Sequence, residues 1–339
     1  MKRYHNLSLF RLIATFAVVM FHVFFLIPAR DIPYETLLRT FMLGLTALSG
    51  FLAGSRKNKD LKHFYLGKAK KTLFPALFCF AFMAIWVLVY FLFHLDGQNY
   101  FQLFLGPRPY NGETMFIAGN YYYLIFFAVC VAITPLLERS DKVSNIIVVL
   151  VITYEVIQSF FLTTQADSSV LVLPYVFGYY VGAKRFDEYV DPEKTFSLKR
   201  LLLPLGLSLM GLALYICSVA ITYPDIYIVT CLQGLMRACG NFFFATFLFL
   251  FFIYAFRFLN KIEKEIAFFR FTDRIAFFWF LMNHCFFLGG TSVLFFDSFA
   301  LNALMANAVT LLSAIALTYS YRFLEKRIKQ IHMKKAQNN

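Results

Sequence analysis

Apolar runs of roughly 18 to 25 residues recur along the whole chain, separated by short polar stretches, and that is about the length a helix needs to cross a hydrocarbon core. The runs lack the alternation of a membrane-barrel strand, and lipid cannot satisfy open backbone groups, so each is predicted to be an α-helix. Ten spans follow, at roughly 9–29, 36–54, 72–94, 120–137, 145–162, 170–183, 201–221, 228–256, 275–296 and 302–321. The sixth is short and the eighth long. The expected fold class is all-α, a polytopic helical bundle of about ten transmembrane helices. It fills residues 1–339 as one membrane domain, with no repeat of fixed period and no soluble appended domain.

Composition supports the pattern. Of 339 residues, 60% are hydrophobic and only 15% charged, Phe alone accounts for 45, and mean hydropathy is +0.65. A water-soluble fold could not hide so much apolar surface. Orientation follows from the cations, because short loops rich in Lys and Arg are retained in the cytoplasm. With Met1 inside, the outer segments hold only Arg30, Arg39 and Arg108, while Arg11 and Arg237 lie within spans. Every other member of the 32 Lys and Arg then falls inside, which places both termini in the cytoplasm and the protein in the plasma membrane. The formal charge of +13 reads as orientation plus affinity for something anionic at the inner face, lipid headgroups or a phosphorylated cofactor, with nucleic acid a poor fit. The first run carries Arg11 and His22 and is followed at once by a second span, unlike a cleaved signal peptide. The six cysteines, Cys79, Cys130, Cys217, Cys231, Cys239 and Cys285, show no CxxC spacing, so they read as small hydrophobes between helices rather than as a metal site or a disulfide framework.

Chemistry must come from polar groups that a membrane tolerates only at a cost of roughly 2.5 kcal/mol or more per charge near its centre. Arg11 and His22 are eleven positions apart, about three helical turns, so they share a face at roughly 16 Å separation along the axis. They cannot both hold one small group. They fit two stations on one polar pathway, a cation near the inner surface and a titratable imidazole deeper in. The alternatives are an Arg11 that snorkels to headgroups and a His22 that bonds a neighbouring helix.

The segment from Arg11 to His22, an arginine, ten intervening residues and a histidine, resembles the first helix of the acyltransferase-3 family of membrane acyltransferases. Leu48-Ser49-Gly50-Phe51-Leu52 is similar to that family's Ser-Gly-Phe-Leu signature at the cytoplasmic end of the second helix. The basic stretch that closes at Leu73-Phe74-Pro75 resembles its basic loop leading into a Leu-X-Pro third helix. Where many members carry paired arginines, this chain has Lys68, Lys70 and Lys71, with Arg56 and Lys57 earlier, and lysine supplies charge without the planar fork. Asn120-Tyr121-Tyr122-Tyr123-Leu124 resembles an aromatic family motif with tyrosine in place of tryptophan. Phe280-Leu281-Met282-Asn283-His284 is similar to the aromatic-Leu-X-X-His of a late helix.

The resemblance implies transfer of an acyl group, usually acetyl from acetyl-CoA, to a hydroxyl of an extracytoplasmic glycan, with no metal. The acceptor would be a capsule, an exopolysaccharide, a cell-wall polymer or a lipid-linked intermediate. Catalysis would fall to His22 and Arg11. A sugar hydroxyl attacks well only as a base takes its proton, and an imidazole near pKa 6.5 suits that task. Direct transfer and a covalent relay through His22 both remain open. The phosphates of coenzyme A suit the 55–71 loop, with seven Lys or Arg against one Asp, and Arg56, Lys68 and Lys71 are the candidates there. Ser49, Glu155, Arg237 and His284 are further candidates for substrate binding; the alternatives are helix packing for Ser49 beside Gly50 and a buried ion pair for Glu155 with Arg237. The outer loop at 95–119, with Tyr100, Arg108, Tyr110 and Asn111, suits either an acceptor or an interface. His5, His63 and His332 read as surface residues, and His94 as an outer boundary. A transporter or flippase of a lipid-linked sugar and a non-catalytic scaffold are the competing classes, and oligomeric state is open.

Overall fold

The computed structural model describes residues 4–26, 34–56, 61–93, 108–110, 113–115, 122–161, 172–221, 227–262, 264, 266–287 and 298–337. The helices are α1 (His5–Leu26), α2 (Tyr34–Gly54), α3 (Leu61–Lys68), α4 (Phe74–Phe93), α5 (Tyr122–Arg139), α6 (Asp141–Phe161), α7 (Val172–Val190), α8 (Leu198–Ala220), α9 (Tyr227–Ala255), α10 (Ala267–Phe287) and α11 (Phe299–Gln337). Each of the ten expected spans overlaps one of them. Among the described residues, five segments are long and apolar enough to cross a membrane: His5–His22, Lys62–Val89, Leu198–Ala220, Tyr227–Ala255 and Ala300–Ile331. Of these five windows those of α1 and α9 are 61% and 56% buried, against 22% for α8 and 28% for Lys62–Val89, so α1 and α9 are the more enclosed of the five. Exposed Ile85, Ile146 and Leu203 give α4, α6 and α8 apolar outer faces of the kind lipid covers.

The chain forms two compact units. The first comprises residues 1–17, 36–64 and 123–270, the second 18–35, 65–122 and 271–339. In the first unit α2 and α7 meet backbone to backbone. A Cβ on Gly50 would lie 2.0 Å from the Tyr175 carbonyl oxygen, and one on Gly54 2.1 Å from that of Tyr179. The relation is reciprocal, since a Cβ on Gly178 or Gly182 would lie 2.1 Å from the oxygen of Ala47 or Phe51. Small residues four apart on both helices let apolar packing act at the shortest range, the main attraction between helices in lipid. Phe51 follows Gly50 into a core with Phe10 and Phe249, its ring 5.0 Å from that of Phe186. The α8–α9 hairpin uses the same device, for a Cβ on Gly211 would lie 2.3 Å from Phe244 N.

The end of this unit at which α1 begins is tied by a buried amide pair. Asn6 donates through Nδ2 to the carbonyls of Ile253 (2.7 Å) and Tyr189 (3.2 Å), and Asn260 donates to Asn6 Oδ1 (2.9 Å) and to the Val190 carbonyl (2.7 Å). Arg257, in the 3-10 turn Arg257–Lys261, donates to the carbonyls of Glu188 (3.2 Å) and Lys194 (2.8 Å) and lies 4.5 Å from the Tyr254 ring centre. The carbonyls left over at the end of α7 are thereby satisfied without water.

In the second unit α4, α10 and α11 pack through aromatic contacts, with Phe78 5.5 Å from the Tyr321 ring and Trp279 Nε1 donating to Thr310 Oγ1 at 3.1 Å. Two short strands, β1 (Arg108–Tyr110) and β2 (Glu113–Met115), pair antiparallel with Pro109 opposite Thr114, so part of the expected 95–119 loop is a strand pair rather than an irregular connection. The expected 55–71 loop is also corrected: helix begins at Leu61 and continues through a π-helical turn, Ala69–Leu73, into α4. Pro75 explains the turn. Its ring would clash with the carbonyl four residues back and it has no N–H to donate, and a wider turn, with Phe74 N–H donating to the Ala69 carbonyl, relieves the conflict. The last expected span, too, is part of a much longer helix that runs on to Gln337.

Candidate functional site

Arg11 and His22 lie on one uninterrupted helix, α1. Thr15 and Val18 fall between them at spacings of four, three and four residues, so the four share a face. Thr15, Val18 and His22 are buried, His22 being only 7% exposed, and Arg11 is partly exposed. The His22 ring meets that of Phe21 edge-on at 4.9 Å. The half of α1 carrying Arg11 belongs to the first unit and the half carrying His22 to the second, where Asn307 Nδ2 of α11 lies 3.1 Å from Met20 Sδ.

The cationic candidates divide likewise. Lys68 closes α3, and Lys71 lies exposed in the π-helical turn of the second unit beside Lys70, whose carbonyl is 3.5 Å from the Tyr321 hydroxyl of α11. Arg56 belongs to the first unit and is exposed just beyond α2. Burial and the carboxylates of Asp187 and Asp191 push the Tyr4 phenol up from its ordinary pKa, and the Arg56 guanidinium opposes them. Arg56 thus shares its surroundings with two acids, and Lys70 and Lys71 are adjacent and exposed.

Ser49 donates to the carbonyl of Leu45 in its own helix at 2.9 Å, and its neighbours Gly50 and Phe51 make the α2–α7 contact. The geometry therefore supplies a packing cause for the Ser-Gly-Phe-Leu segment. The side chains of Glu155 and His284 lie outside the described residues, so the expected Glu155–Arg237 pair is not observed here. Arg237 is partly exposed on α9, with its Nε buried and without a hydrogen-bond partner among the described residues. Gln233, one turn before it, donates to the α8 carbonyls of Ser218 (2.7 Å) and Ile221 (3.4 Å). Asn241, one turn after it, is 8% exposed with its Oδ1 unpartnered.

His5 differs from expectation. It is 3% exposed rather than a surface residue, with Nε2 3.2 Å from the Ile262 carbonyl, its ring 5.6 Å from that of Phe269 and Nδ1 without a partner. It is carried inward by Asn6 beside it, whose partner Asn260 is 254 residues away, a pairing that no local pattern announces. Thr15 was readable, one turn after Arg11 on the same face. Among the described residues, no cluster of three His, Cys, Asp or Glu could hold a metal.

A family model described as an acyltransferase domain matches residues 4–322. The chain belongs to the acyltransferase-3 family. This acyltransferase is therefore a transferase of acyl groups built from apolar, membrane-type helices. No curated protein and no solved structure matches it. The match extends from the first residues of α1 to Arg322 within α11, so it takes in residues of both units and every candidate residue named above.

Proposed function

We propose that this acyltransferase moves an acetyl group from cytoplasmic acetyl-CoA to a hydroxyl of a surface glycan on the other side of the plasma membrane. In this reading all ten helical segments span and both termini are cytoplasmic. The observation that carries it is the polar face of α1, with His22 buried among apolar helices and Arg11 eleven residues nearer the inner end. An imidazole so enclosed has a use in hydrocarbon when it takes the proton from an attacking hydroxyl. The hydroxyl oxygen forms the new ester bond to the acetyl carbon, the thioester bond breaks, and coenzyme A leaves as its thiol. Arg11 neutralises negative charge on the donor near the inner mouth. Lys68 and Lys71, with Arg56, attract its phosphates, and the helical setting of the two lysines supports this by fixing their spacing. Ser49, Glu155, Arg237 and His284 are proposed for the acceptor. The competing reading, a flippase of a lipid-linked sugar, has no need of coenzyme A.

The test follows label from acetyl-labelled acetyl-CoA into a crude surface-glycan fraction, using membranes with equal amounts of wild-type or His22→Ala protein. Labelling that needs the wild type and falls at least about a hundredfold in the variant is expected for loss of a general base. Equal labelling by both removes His22 from the chemistry, and no labelling by the wild type across several glycans points to a different acyl donor or to the flippase.

A further inference from the structure

Three buried polar atoms of α9 have no hydrogen-bond partner among the described residues: Arg237 Nε, Asn241 Oδ1 and Thr246 Oγ1. Arg237 and Asn241 are one turn apart on one face, whereas Thr246 points elsewhere. That face adjoins the α8 contact, because a Cβ on Gly240 would lie 2.8 Å from Tyr215 N, and it leads into the buried side of α9 at Ala245, which is 3% exposed. The neighbouring polar group, Gln233, is already spent on the last carbonyls of α8. The Gly211 and Gly240 backbone contacts leave the helices little room to shift, so neither atom finds a partner by a small movement of the hairpin.

A helix that only packed would not retain both an unsatisfied donor and an unsatisfied acceptor one turn apart. The guanidinium keeps its charge at any working pH, so the occupant that suits it best is an anion. Asn241 Oδ1 can only accept, so it calls for a hydroxyl or an N–H. We propose that Arg237 and Asn241 form a binding station for an anionic, hydroxylated group, a carboxylate or phosphate on Arg237 with an adjacent hydroxyl donating to Asn241. This rests on the acyltransferase function proposed above and narrows the acceptor to an acidic glycan. Arg237 lies about 15 Å along α9 from Tyr227, the outer end of the helix in the proposed topology, so the station faces the acceptor side.

The test measures the thermal midpoint of the purified full-length protein in detergent with rising glucuronate, glucose or inorganic phosphate, and separately with acetyl-CoA. Glucuronate and glucose share a ring and differ at the carboxylate. The expected result is a midpoint raised by several degrees with glucuronate, phosphate or both, and not with glucose. Arg237→Gln loses that rise, Arg237→Lys keeps part of it, and Asn241→Ala needs at least about five times more glucuronate for the same effect. A response to phosphate alone assigns the anion to a phosphate-bearing acceptor; a response to glucuronate alone assigns it to a uronic acid. Equal responses to glucose and glucuronate, or an undiminished anion response in Arg237→Gln, overturn the station. Should Arg237→Gln not fold, Asn241→Ala decides by the same criterion. If the wild type ignores anions and Glu155→Gln gains a response, the guanidinium already holds an internal carboxylate and the inference falls. Stabilisation by acetyl-CoA without any anion response defeats this inference alone, whereas an anion response without one by acetyl-CoA defeats the donor assignment and leaves the station.

Discussion

Gly50→Ala is the sharpest test of how α2 and α7 are held. The added methyl would stand 2.0 Å from the Tyr175 carbonyl oxygen, 2.8 Å from its carbon and 2.9 Å from Tyr179 N, all backbone atoms that cannot rotate away. An ordinary carbon–oxygen approach is about 3.3 Å, so the helices must part by about 1.3 Å at that level. A gap of about 0.5–1 Å already forfeits a quarter to a half of each dispersion contact across it, so one of about 1.3 Å forfeits at least half, and overfilling a packed interface costs about 1–3 kcal/mol, occasionally more. The expected loss is about 3 kcal/mol, the upper part of that range, because the obstacle is backbone on both sides. Gly178→Ala, whose Cβ would meet the Ala47 carbonyl oxygen at 2.1 Å, presses on the same interface from the other helix. Once the helices have parted for one methyl the second costs less, so the double variant should lose clearly less than the sum of the singles. Gly206 in α8 has nothing within 4 Å of its would-be Cβ, and Gly206→Ala should be neutral or stabilising by up to about 1 kcal/mol. The assay is reversible unfolding in mixed micelles, followed by circular dichroism. A Gly50→Ala protein within about 0.5 kcal/mol of the wild type, or singles that simply add, would refute the close-contact argument.

Two further outcomes follow from the end of the first unit at which α1 begins. Asn260→Ala removes the acceptor of the Asn6 backbone N–H and the donor to the Val190 carbonyl in a buried setting, while the Asn6 side-chain oxygen keeps the Leu7 N–H, and should cost about 3 kcal/mol in the same unfolding assay; a loss under about 1 kcal/mol would mean that water or a shifted Asn6 replaces it. Tyr4 has its phenol held above its ordinary pKa by burial and by Asp187 and Asp191. The neutral form is the one the fold favours, so the stability it contributes is intact below the ordinary tyrosine pKa of 10 and is lost as pH rises through the higher folded value. Tyr4→Phe should flatten the fall in thermal midpoint above pH 10, and an unchanged alkaline slope would count against that shift.

Element positions were readable because length and apolarity act along the chain, whereas the devices that hold the elements together act across it. The run lengths locate the apolar part of every spanning helix, but not the extensions of α7 to Val190, of α10 back to Ala267 and of α11 to Gln337, nor α3, where Pro75 was read as the end of a loop. Proline within the first turns of a helix looks like a boundary in sequence, and only the π-helical turn at Ala69–Leu73 shows how the chain continues through it. The face shared by Arg11 and His22 was legible for the same reason as the helices, since eleven residues is close to a whole number of turns. The Asn6–Asn260 pair and the burial of His5 were not, because a polar residue in a basic segment looks solvated until its distant partner is known. Gly178 and Gly182 stand four apart as plainly as Gly50 and Gly54, and the signal that would have found their contact is the matching small-residue spacing on two helices.

That contact also separates two meanings of the Ser-Gly-Phe-Leu segment. A signature near a site invites a chemical reading, yet here Gly50 admits the Tyr175 carbonyl, Phe51 fills the core beneath it, and Ser49 bonds within its own helix. Phe10, one residue before Arg11, packs its ring 5.0 Å from Phe249 in the same core. The glycine contact and the aromatic core together fix the backbone that bears Arg11. A charge in hydrocarbon is useful only if its position is set by something stiffer than the charge itself, since a guanidinium on a long side chain would otherwise snorkel to water. The bearing of Gly50 and Phe51 on function is then indirect, through Phe10 and the first turns of α1. Gly50→Ala should disturb the donor binding proposed for Arg11 at temperatures well below unfolding, whereas Ser49→Ala, which removes only a bond within α2, should leave it in place.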